Sequence, residues 1–146
     1  MKKKKSKIIA FVLVMAMMLS VTSPVFAVNN GKDAVQPMSS SYISIYGASI
    51  SGSDGTVTVS FNITAKSKMT SLGATSVQIK NSAGATVKTF YSSSTSGMMG
   101  SNRTYFSGSV SYTGISGHKY YAVINYKAAN ASGSDTCSYT TAYATA

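Results

Sequence analysis

Residues 56–65, TVTVSFNITA, carry the clearest secondary-structure pattern in the chain. Apolar side chains occupy every second position, and hydroxyl or amide side chains fill most of the positions between them. A strict period of two with one apolar face is typical of a β-strand that is buried on one side only. The residues before it, Gly52-Ser53-Asp54-Gly55, end in Asp-Gly, a pair that tolerates the positive φ of tight turns. The sequence therefore predicts a hairpin between residues 41–51 and 56–65.

Five further segments alternate in the same way and are separated by turns rich in Gly, Ser and Asn. They are Ala74–Lys80, Thr86–Tyr91, Thr104–Tyr112, Lys119–Ala128 and Thr136–Tyr143. The segments Ser92–Asn102 and Ala129–Asp135 are predicted to be loops, and no segment after residue 27 has a helical 3.6-residue stripe. About seven short strands are the count expected for an immunoglobulin-like sandwich. We therefore expect a single all-β antiparallel sandwich domain over residues 40–146.

Residues 1–27 show the three zones of a signal peptide: five early lysines, the apolar run Ile8–Leu19, and the small-residue site Val25-Phe26-Ala27. The apolar run is shorter than the roughly 20 residues that a membrane-spanning helix needs. We therefore expect cleavage after Ala27, rather than a retained anchor, and a secreted product that is at most loosely associated with the cell envelope. The polar residues 28–39 are predicted to be a flexible lead-in.

The formal charge of +10 is divided unevenly along the chain. Five of the thirteen cations lie in residues 1–27, so the rest of the chain keeps eight cations against three acids, a net of +5. These cations are scattered, which is a weak footprint for nucleic acid. A general attraction to an anionic envelope remains plausible. The nucleic-acid class of partner is therefore disfavoured, and the membrane is expected to be met only through the signal peptide.

Acidic residues are scarce: the chain has no Glu, and its only acids are Asp33, Asp54 and Asp135. Paired-carboxylate catalysis and carboxylate-rich metal sites are poorly supplied by so few groups. Asp54 and Asp135 each follow a Ser in a Gly-containing turn signal, so we expect them to cap turns. A calcium cage needs six or more oxygen ligands, although backbone carbonyls leave weak calcium binding open. We expect no cofactor and no enzymatic activity.

The single histidine, His118, and the single cysteine, Cys137, are the two residues that a small nucleophilic enzyme would use. They fall at adjacent predicted strands, so a Cys-His pair is conceivable, although one His is a poor zinc site. A lone cysteine cannot form an internal disulfide. We expect a half-buried free thiol at position 137, with pairing between chains as the alternative in an oxidising compartment.

The segment Ile115–Ile124, ISGHKYYAVI, resembles fibronectin type III domains, which commonly carry an apolar residue, a Gly and a Tyr before an alternating strand. The resemblance implies a corner role for Tyr120. Its ring would pack at the start of its strand, and its hydroxyl would form a hydrogen bond with nearby backbone. The segment departs from the pattern because no Pro precedes Gly117 and the chain has no Trp.

The chain is also similar to small secreted proteins of clostridia-like Gram-positive bacteria. The similarity lies in the signal peptide and in GMMGSN (97–102), SYTGISGHKYYAV (111–123) and SGSDTCSYTT (132–141). This resemblance implies a secreted β-sandwich of bacterial origin, and it implies no particular activity.

Candidate binding residues lie in the two predicted loops, since function usually resides on loops held by a rigid scaffold. They are Met98, Met99, Asn102, Arg103, Asn130 and Asp135. The two methionines either form an exposed apolar tip or cap the sandwich core, and the core is favoured because a small domain rarely spares apolar side chains. Tyr42, Tyr46 and Tyr121 would supply an aromatic platform for a glycan if they face outward, but ordinary strand positions are favoured because the strand pattern alone explains the tyrosines.

Three functional hypotheses follow. The first is a secreted, non-enzymatic module that binds a cell-wall polymer, a glycan or a surface protein through its loops. The second is a structural extracellular protein that self-associates through edge strands rich in Ser, Thr and Tyr. The third is a small enzyme that uses Cys137 and His118.

Overall fold

The computed structural model describes residues 36–37 and 40–146 of the chain. The signal peptide predicted for residues 1–27 and most of the lead-in predicted for residues 28–39 lie outside the described residues. All regular structure in the described part of the chain is β-strand, so no helix there could cross a membrane.

Seven long strands carry the fold, and each overlaps one of the seven predicted segments, although the last begins and ends three residues earlier than predicted. They are β2 (Ile43–Ser53), β3 (Thr56–Met69), β4 (Ser71–Asn81), β5 (Thr86–Tyr91), β7 (Arg103–Thr113), β8 (Lys119–Asn130) and β9 (Gly133–Thr140). Three two-residue strands were not predicted, since two residues carry no periodicity. They are β1 (Gln36–Pro37), β6 (Met99–Gly100) and β10 (Ala144–Thr145).

The strands form two antiparallel sheets. The first sheet has the order β1-β2-β3-β7. The second has the order β10-β8-β4-β5, with β9 also paired to β8 and β6 also paired to β4. The chain changes sheet between β3 and β4, between β6 and β7, and between β7 and β8. These crossings make strands that are distant in sequence into neighbours, and they bring the apolar faces of both sheets together.

The core lies between the two sheets because each strand turns its apolar alternate positions inward. On β3 the predicted apolar face is buried, from Val57 to Ile63. The opposing sheet contributes the buried side chains of Leu72, Val77, Ile79, Ala122, Ile124 and Tyr126. The Tyr126 hydroxyl crosses the sandwich and donates a hydrogen bond of 2.6 Å to the carbonyl oxygen of Gly47.

The predicted hairpin turn is confirmed. Asp54 and Gly55 both have positive φ, at 51° and 77°, and Ser53 pairs with Thr56 directly across the turn. Positive φ at both central residues is the geometry of the two-residue turn whose twist matches the flanking strands. The Asp-Gly pair therefore fixes the register of β2 against β3.

The loop predicted for residues 129–135 is wrong. Pairing between β8 and β9 runs through Ala128↔Asp135 to Asn130↔Gly133, so only Ala131 and Ser132 form the turn. The Asn130 side-chain oxygen accepts the Ser132 N–H at 2.8 Å, which closes this turn locally. The small polar residues of this segment suggested a loop. Hydrogen bonds between the backbones of β8 and β9 do not depend on the type of side chain, however, and they continue to the two-residue turn.

Candidate functional site

Small hydroxyl side chains line the side of the first sheet that faces away from the core. The period of two that buries Val57 and Val59 directs the intervening residues outward, and the antiparallel register carries this phase to both neighbouring strands. We call this surface the hydroxyl face. Its hydroxyl-bearing members are Ser49, Ser51, Ser53, Thr56, Thr58, Ser60, Thr64, Ser107, Ser109, Ser111 and Thr113.

The hydroxyls of this face are arranged in rows. Register pairs place Ser60 between Ser49 and Ser109, and Thr58 lies between Ser51 and Ser111. Adjacent strands are about 4.8 Å apart, and outward residues of one strand repeat every 6.8 Å or so. Thr58 Oγ1 and Ser111 Oγ lie 3.0 Å apart and share a hydrogen bond across two strands. Because each hydroxyl both donates and accepts, the face offers a two-dimensional hydrogen-bonding array.

A shallow depression of about 470 Å³ lies in this face. Its floor includes the row Gly47, Asn62 and Ser107 and the neighbouring row through Ser60. Gly47 has no side chain, so the surface sinks beside Asn62. Tyr105 stands at the rim and is 54% exposed.

The hydroxyl face is uncharged. No outward position of β3 between Thr56 and Thr64, and none of the register partners of those positions, is an ionisable acid or base with charge at neutral pH. The nearest cations on these strands lie past its end, at Lys66, Lys68 and Arg103. A ligand at the depression would therefore meet hydroxyls, one amide and one aromatic ring.

Met98 is not a contact residue. Its side chain is 0% exposed and belongs to the core, so the alternative in which it forms an exposed tip is wrong. Its carbonyl oxygen accepts the Ala74 N–H at 2.8 Å, and a Cβ at Gly73 would lie 2.3 Å from that oxygen. The missing side chain at Gly73 lets the loop close over the sandwich. The predicted core-capping role is therefore confirmed for Met98. Met99, in β6, is only half-buried.

The remaining predicted loop residues are distributed over both sheets and do not form a joint site, since Arg103 begins β7 of the first sheet. Register pairs align Gly100, Leu72, Ala128 and Asp135 in one row, so three strand spacings, about 14 Å, separate its ends. Asn102 and Arg103 follow the first end of this row and are exposed. Asn102 adopts a left-handed backbone conformation with a φ of 55°, and the Asn130 side-chain oxygen closes its own turn.

Asp135 does not cap a turn as predicted; it holds the start of β2. Its carboxylate accepts hydrogen bonds from the Ser40 hydroxyl and from the Tyr42 N–H, the latter at 2.8 Å. These bonds, with a smaller contribution from the nearby Lys66 charge, lower the pKa of the Asp135 carboxyl below its ordinary value. Lys66 in turn donates to the Ser40 carbonyl oxygen. We call Ser40, Tyr42, Lys66 and Asp135 the Asp135 clasp.

Cys137 and His118 lie far apart. Cys137 pairs with Tyr126 on β8, whereas His118 precedes the first residue of that strand. Eight residues of extended strand separate the two positions by about 27 Å. Burial raises the pKa of the half-buried Cys137 thiol to about 12, which keeps it protonated and a poor nucleophile at neutral pH.

The tyrosines divide between core and surface. The Tyr120 hydroxyl oxygen accepts the Ile115 N–H at 2.9 Å, and its ring packs edge-to-face on Tyr112. Tyr46, a candidate for an outward-facing platform, is instead buried, with 5% exposure. A register irregularity between Ile43 and Ile45 shifts the phase of β2, so Ile43 and Tyr46 both point inward. Tyr42 and Tyr121 are half-buried.

Within residues 36–37 and 40–146, no group of three His, Cys, Asp or Glu side chains could hold a metal ion. No protein-family model, no curated protein and no solved structure matches this chain.

Proposed function

We propose that this protein is a secreted, non-enzymatic β-sandwich module of the immunoglobulin-like, fibronectin type III-like class that binds a neutral envelope polysaccharide through its hydroxyl face. The class is supported by seven long strands in two antiparallel sheets. It is also supported by the bond from Tyr120 to backbone five residues upstream, a contact of the kind found at the corner of such sandwiches. The signal-peptide pattern in residues 1–27 supports export.

The observation that carries the proposal is the uncharged depression with Tyr105 at its rim. Sugar hydroxyls both donate and accept hydrogen bonds, as do the Ser and Thr hydroxyls of the face. The apolar side of a sugar ring stacks on an exposed aromatic ring, and Tyr105 presents one with a polar tip. The absence of charge on the hydroxyl face favours a neutral polymer over an anionic one, for which fixed cations would be needed.

The shape of the face favours a repeating ligand. The depression is shallow, and the rows of hydroxyls continue past it toward Ser51 and Ser53, where the face ends at the Asp54 carboxylate that accepts a hydrogen bond from the Ser53 hydroxyl. A single small molecule would cover only part of such a surface, whereas a polysaccharide chain presents the same groups at regular intervals. The net positive charge of residues 28–146 would concentrate the protein near an anionic envelope without contributing to recognition.

Three observations support a non-enzymatic role. His118 and Cys137 are far apart along β8, so they cannot share a proton. Asp135 is engaged in its clasp, and Asp54 occupies the hairpin turn. The groups around the depression are hydroxyls, an amide and a phenol, which suit hydrogen bonding and ring contact with sugars.

Co-sedimentation with insoluble neutral polysaccharides, such as cellulose, chitin and β-glucan, tests the proposal at low and at high salt. The protein is expected to bind at least one of them, with little change when salt screens charge attraction. Ser60→Tyr should fill the depression and abolish binding. Gln78→Tyr places the same side chain on the outer side of the central strand of the other sheet, and it should bind normally.

Three results would contradict this assignment. Binding that disappears at high salt would indicate charge attraction alone. Loss of binding in Gln78→Tyr but not in Ser60→Tyr would place the site on the opposite sheet. Loss of binding in Asn102→Ala/Arg103→Ala, with Ser60→Tyr unaffected, would return the site to the loop at residues 92–102.

A further inference from the structure

Strand β7 forms an open edge of the first sheet. Within the described residues it pairs only with β3, through nine consecutive register pairs from Thr56↔Thr113 to Thr64↔Tyr105. No bulge interrupts these nine pairs, so this part of the edge is regular. The outward side chains along it, at Tyr105, Ser107, Ser109, Ser111 and Thr113, are exposed.

The hydrogen-bonding pattern shows which backbone groups face this edge. Gly114 donates its N–H to the Gly55 carbonyl oxygen at 2.8 Å, next to the pair Thr56↔Thr113. Residues of an antiparallel pair alternate between bonded and non-bonded positions, so even-numbered residues of β7 bond to β3. The N–H and carbonyl groups of the odd-numbered residues 105–113 therefore point away from the sheet. These are the same residues whose side chains lie on the hydroxyl face.

The other long edges carry features that discourage pairing. At β7 the Gly97 carbonyl oxygen lies against Gly108, where an added Cβ would be 2.4 Å from it, but this approach is on the core side of the strand, away from the hydroxyl face. The edge of β2 is covered by β1 at Ile45 and approached by β10 at Gly52. Strand β5 is short and carries Lys88, and its register shifts near Lys80. Strand β9 carries an inward-directed acid in the Asp135 clasp. Natural sheets use such covers, charges and irregularities to prevent edge pairing. Residues 104–113 contain no charged residue and no Pro.

We propose that β7 pairs antiparallel with the β7 strand of a second copy of this chain, around a two-fold axis at Ser109. In this register Ser109 faces its own equivalent, Ser107 faces Ser111, and Tyr105 faces Thr113. Every outward backbone group then meets a complementary group, because all of these residues have the same parity. The two Arg103 side chains lie 12 residues apart along the pair, about 40 Å, so they do not repel.

A second copy suits this edge better than an unrelated peptide. The facing side chains are small and uncharged, so two identical strands meet without steric or electrostatic conflict. Directly opposed residues lie on the same side of a sheet, so the dimer would join the two hydroxyl faces into one continuous surface. Self-association is independent of the proposed polysaccharide binding, since a dimer could form whatever ligand the face binds.

Sedimentation velocity of the purified protein over a concentration series tests the proposal. The unaltered protein and Ser109→Ala are expected to form a dimer in a concentration-dependent manner. Ser109→Pro should remain monomeric, because it removes an outward N–H without removing a bond to β3. Ser109→Lys alone and Ser109→Glu alone should also be monomeric, since like charges would face each other, and an equimolar mixture should recover the dimer.

The Lys and Glu variants keep the test valid if Ser109→Pro does not fold, and circular dichroism of each variant establishes folding. A protein that stays monomeric at all concentrations would overturn the proposal. So would a dimer that persists in Ser109→Lys, because its interface would lie elsewhere. Failure of the Lys and Glu variants to recover the dimer on mixing would exclude the two-fold axis at Ser109.

Discussion

At the residue scale, Tyr126 is the side chain that joins the two sheets most directly. Its ring packs against Tyr46 and Phe61 of the first sheet, with centroid distances of 5.5 and 6.4 Å. Its hydroxyl satisfies the Gly47 carbonyl oxygen, and burial raises the pKa of Tyr126 far above its ordinary value. The hydroxyl therefore stays protonated and donates throughout the range in which the protein is handled.

Tyr126→Phe should lower the free energy of unfolding by about 0.5–1.5 kcal/mol, because it removes a buried hydrogen bond between the two sheets. Urea denaturation followed by circular dichroism measures the difference. Tyr91→Phe is the matched control, since Tyr91 is exposed, and it should change stability by less than about 0.5 kcal/mol. Equal effects of the two substitutions would show that the bridge contributes nothing specific.

The Cys137 thiol should react slowly with iodoacetamide at pH 8 in the native protein. A rise in its pKa from 9.0 to about 12 reduces the thiolate fraction by on the order of 1,000-fold, and only the thiolate is the nucleophile. Mass spectrometry of alkylation with and without urea measures this protection, and the unfolded chain should react at the rate of a free cysteine. Rapid native labelling, or a disulfide dimer on a non-reducing gel, would contradict the half-buried free thiol.

The burial of individual side chains could be predicted where apolar and polar residues alternate strictly along a strand. Val57 to Ile63 followed the pattern because no bulge interrupts that part of β3. Tyr46 did not, because the irregularity between Ile43 and Ile45 depends on pairing with β3 and leaves no mark in a single strand's sequence. Tyr105 was missed as a site residue for a different reason: its rim position exists only once β2, β3 and β7 are adjacent.

At the element scale, two contacts fix strand ends that would otherwise fray. The Asp135 clasp ties the start of β2 to β9. At the other end of β2, Gly52 lets the C-terminal strand β10 approach closely. Neither contact could be predicted from the local sequence pattern. Asp135 lies 93 residues from Tyr42 in the chain. A glycine at position 52 is also expected simply because it lies beside a turn, so it does not indicate a contact with β10. The Asp54-Gly55 turn could be predicted, since its geometry depends on two consecutive residues.

Asp135→Asn should destabilise the protein at pH 7, with a difference from the unaltered protein that shrinks in acid. The pKa of the folded carboxyl is depressed, so its stabilising contribution is complete above the unfolded value of about 4. That contribution disappears as pH falls through the lower folded pKa. Thermal unfolding between pH 7 and pH 2 measures the difference. Ser40→Ala should give part of the effect, and Thr136→Ala, exposed on the same strand, should give none.

Gly52→Ala should lower the free energy of unfolding by about 1–3 kcal/mol, the usual cost of overpacking. The added Cβ would lie 1.9 Å from the Thr145 carbonyl oxygen, so β10 would have to move away from β2. Hydrogen exchange should show faster exchange of the Ala146 amide, which bonds to the His118 carbonyl oxygen. Ser51→Ala, one residue earlier and exposed, should behave like the unaltered protein. A stable Gly52→Ala protein with unchanged exchange would contradict this close approach.

At the scale of the whole molecule, the polar half of the strand pattern matters as much as the apolar half. The apolar positions of β2, β3 and β7 build the core, and the alternate Ser and Thr positions form the hydroxyl face on the other side of the same strands. The polar positions of β3 were visible in TVTVSFNITA. The array itself could not be predicted, because β7 joins β3 only after the chain has passed through the second sheet.

Titration of the unaltered protein, Tyr105→Ala and Tyr91→Ala with a soluble neutral glucan at high salt tests the central claim most directly. The two tyrosines are equally exposed, at 54%, but lie on opposite sheets, so they differ in position rather than in accessible ring. If the hydroxyl face binds the polysaccharide, Tyr105→Ala should weaken binding about tenfold or more and Tyr91→Ala should have no effect. Unchanged affinity in Tyr105→Ala, or a loss confined to Tyr91→Ala, would contradict binding at this face.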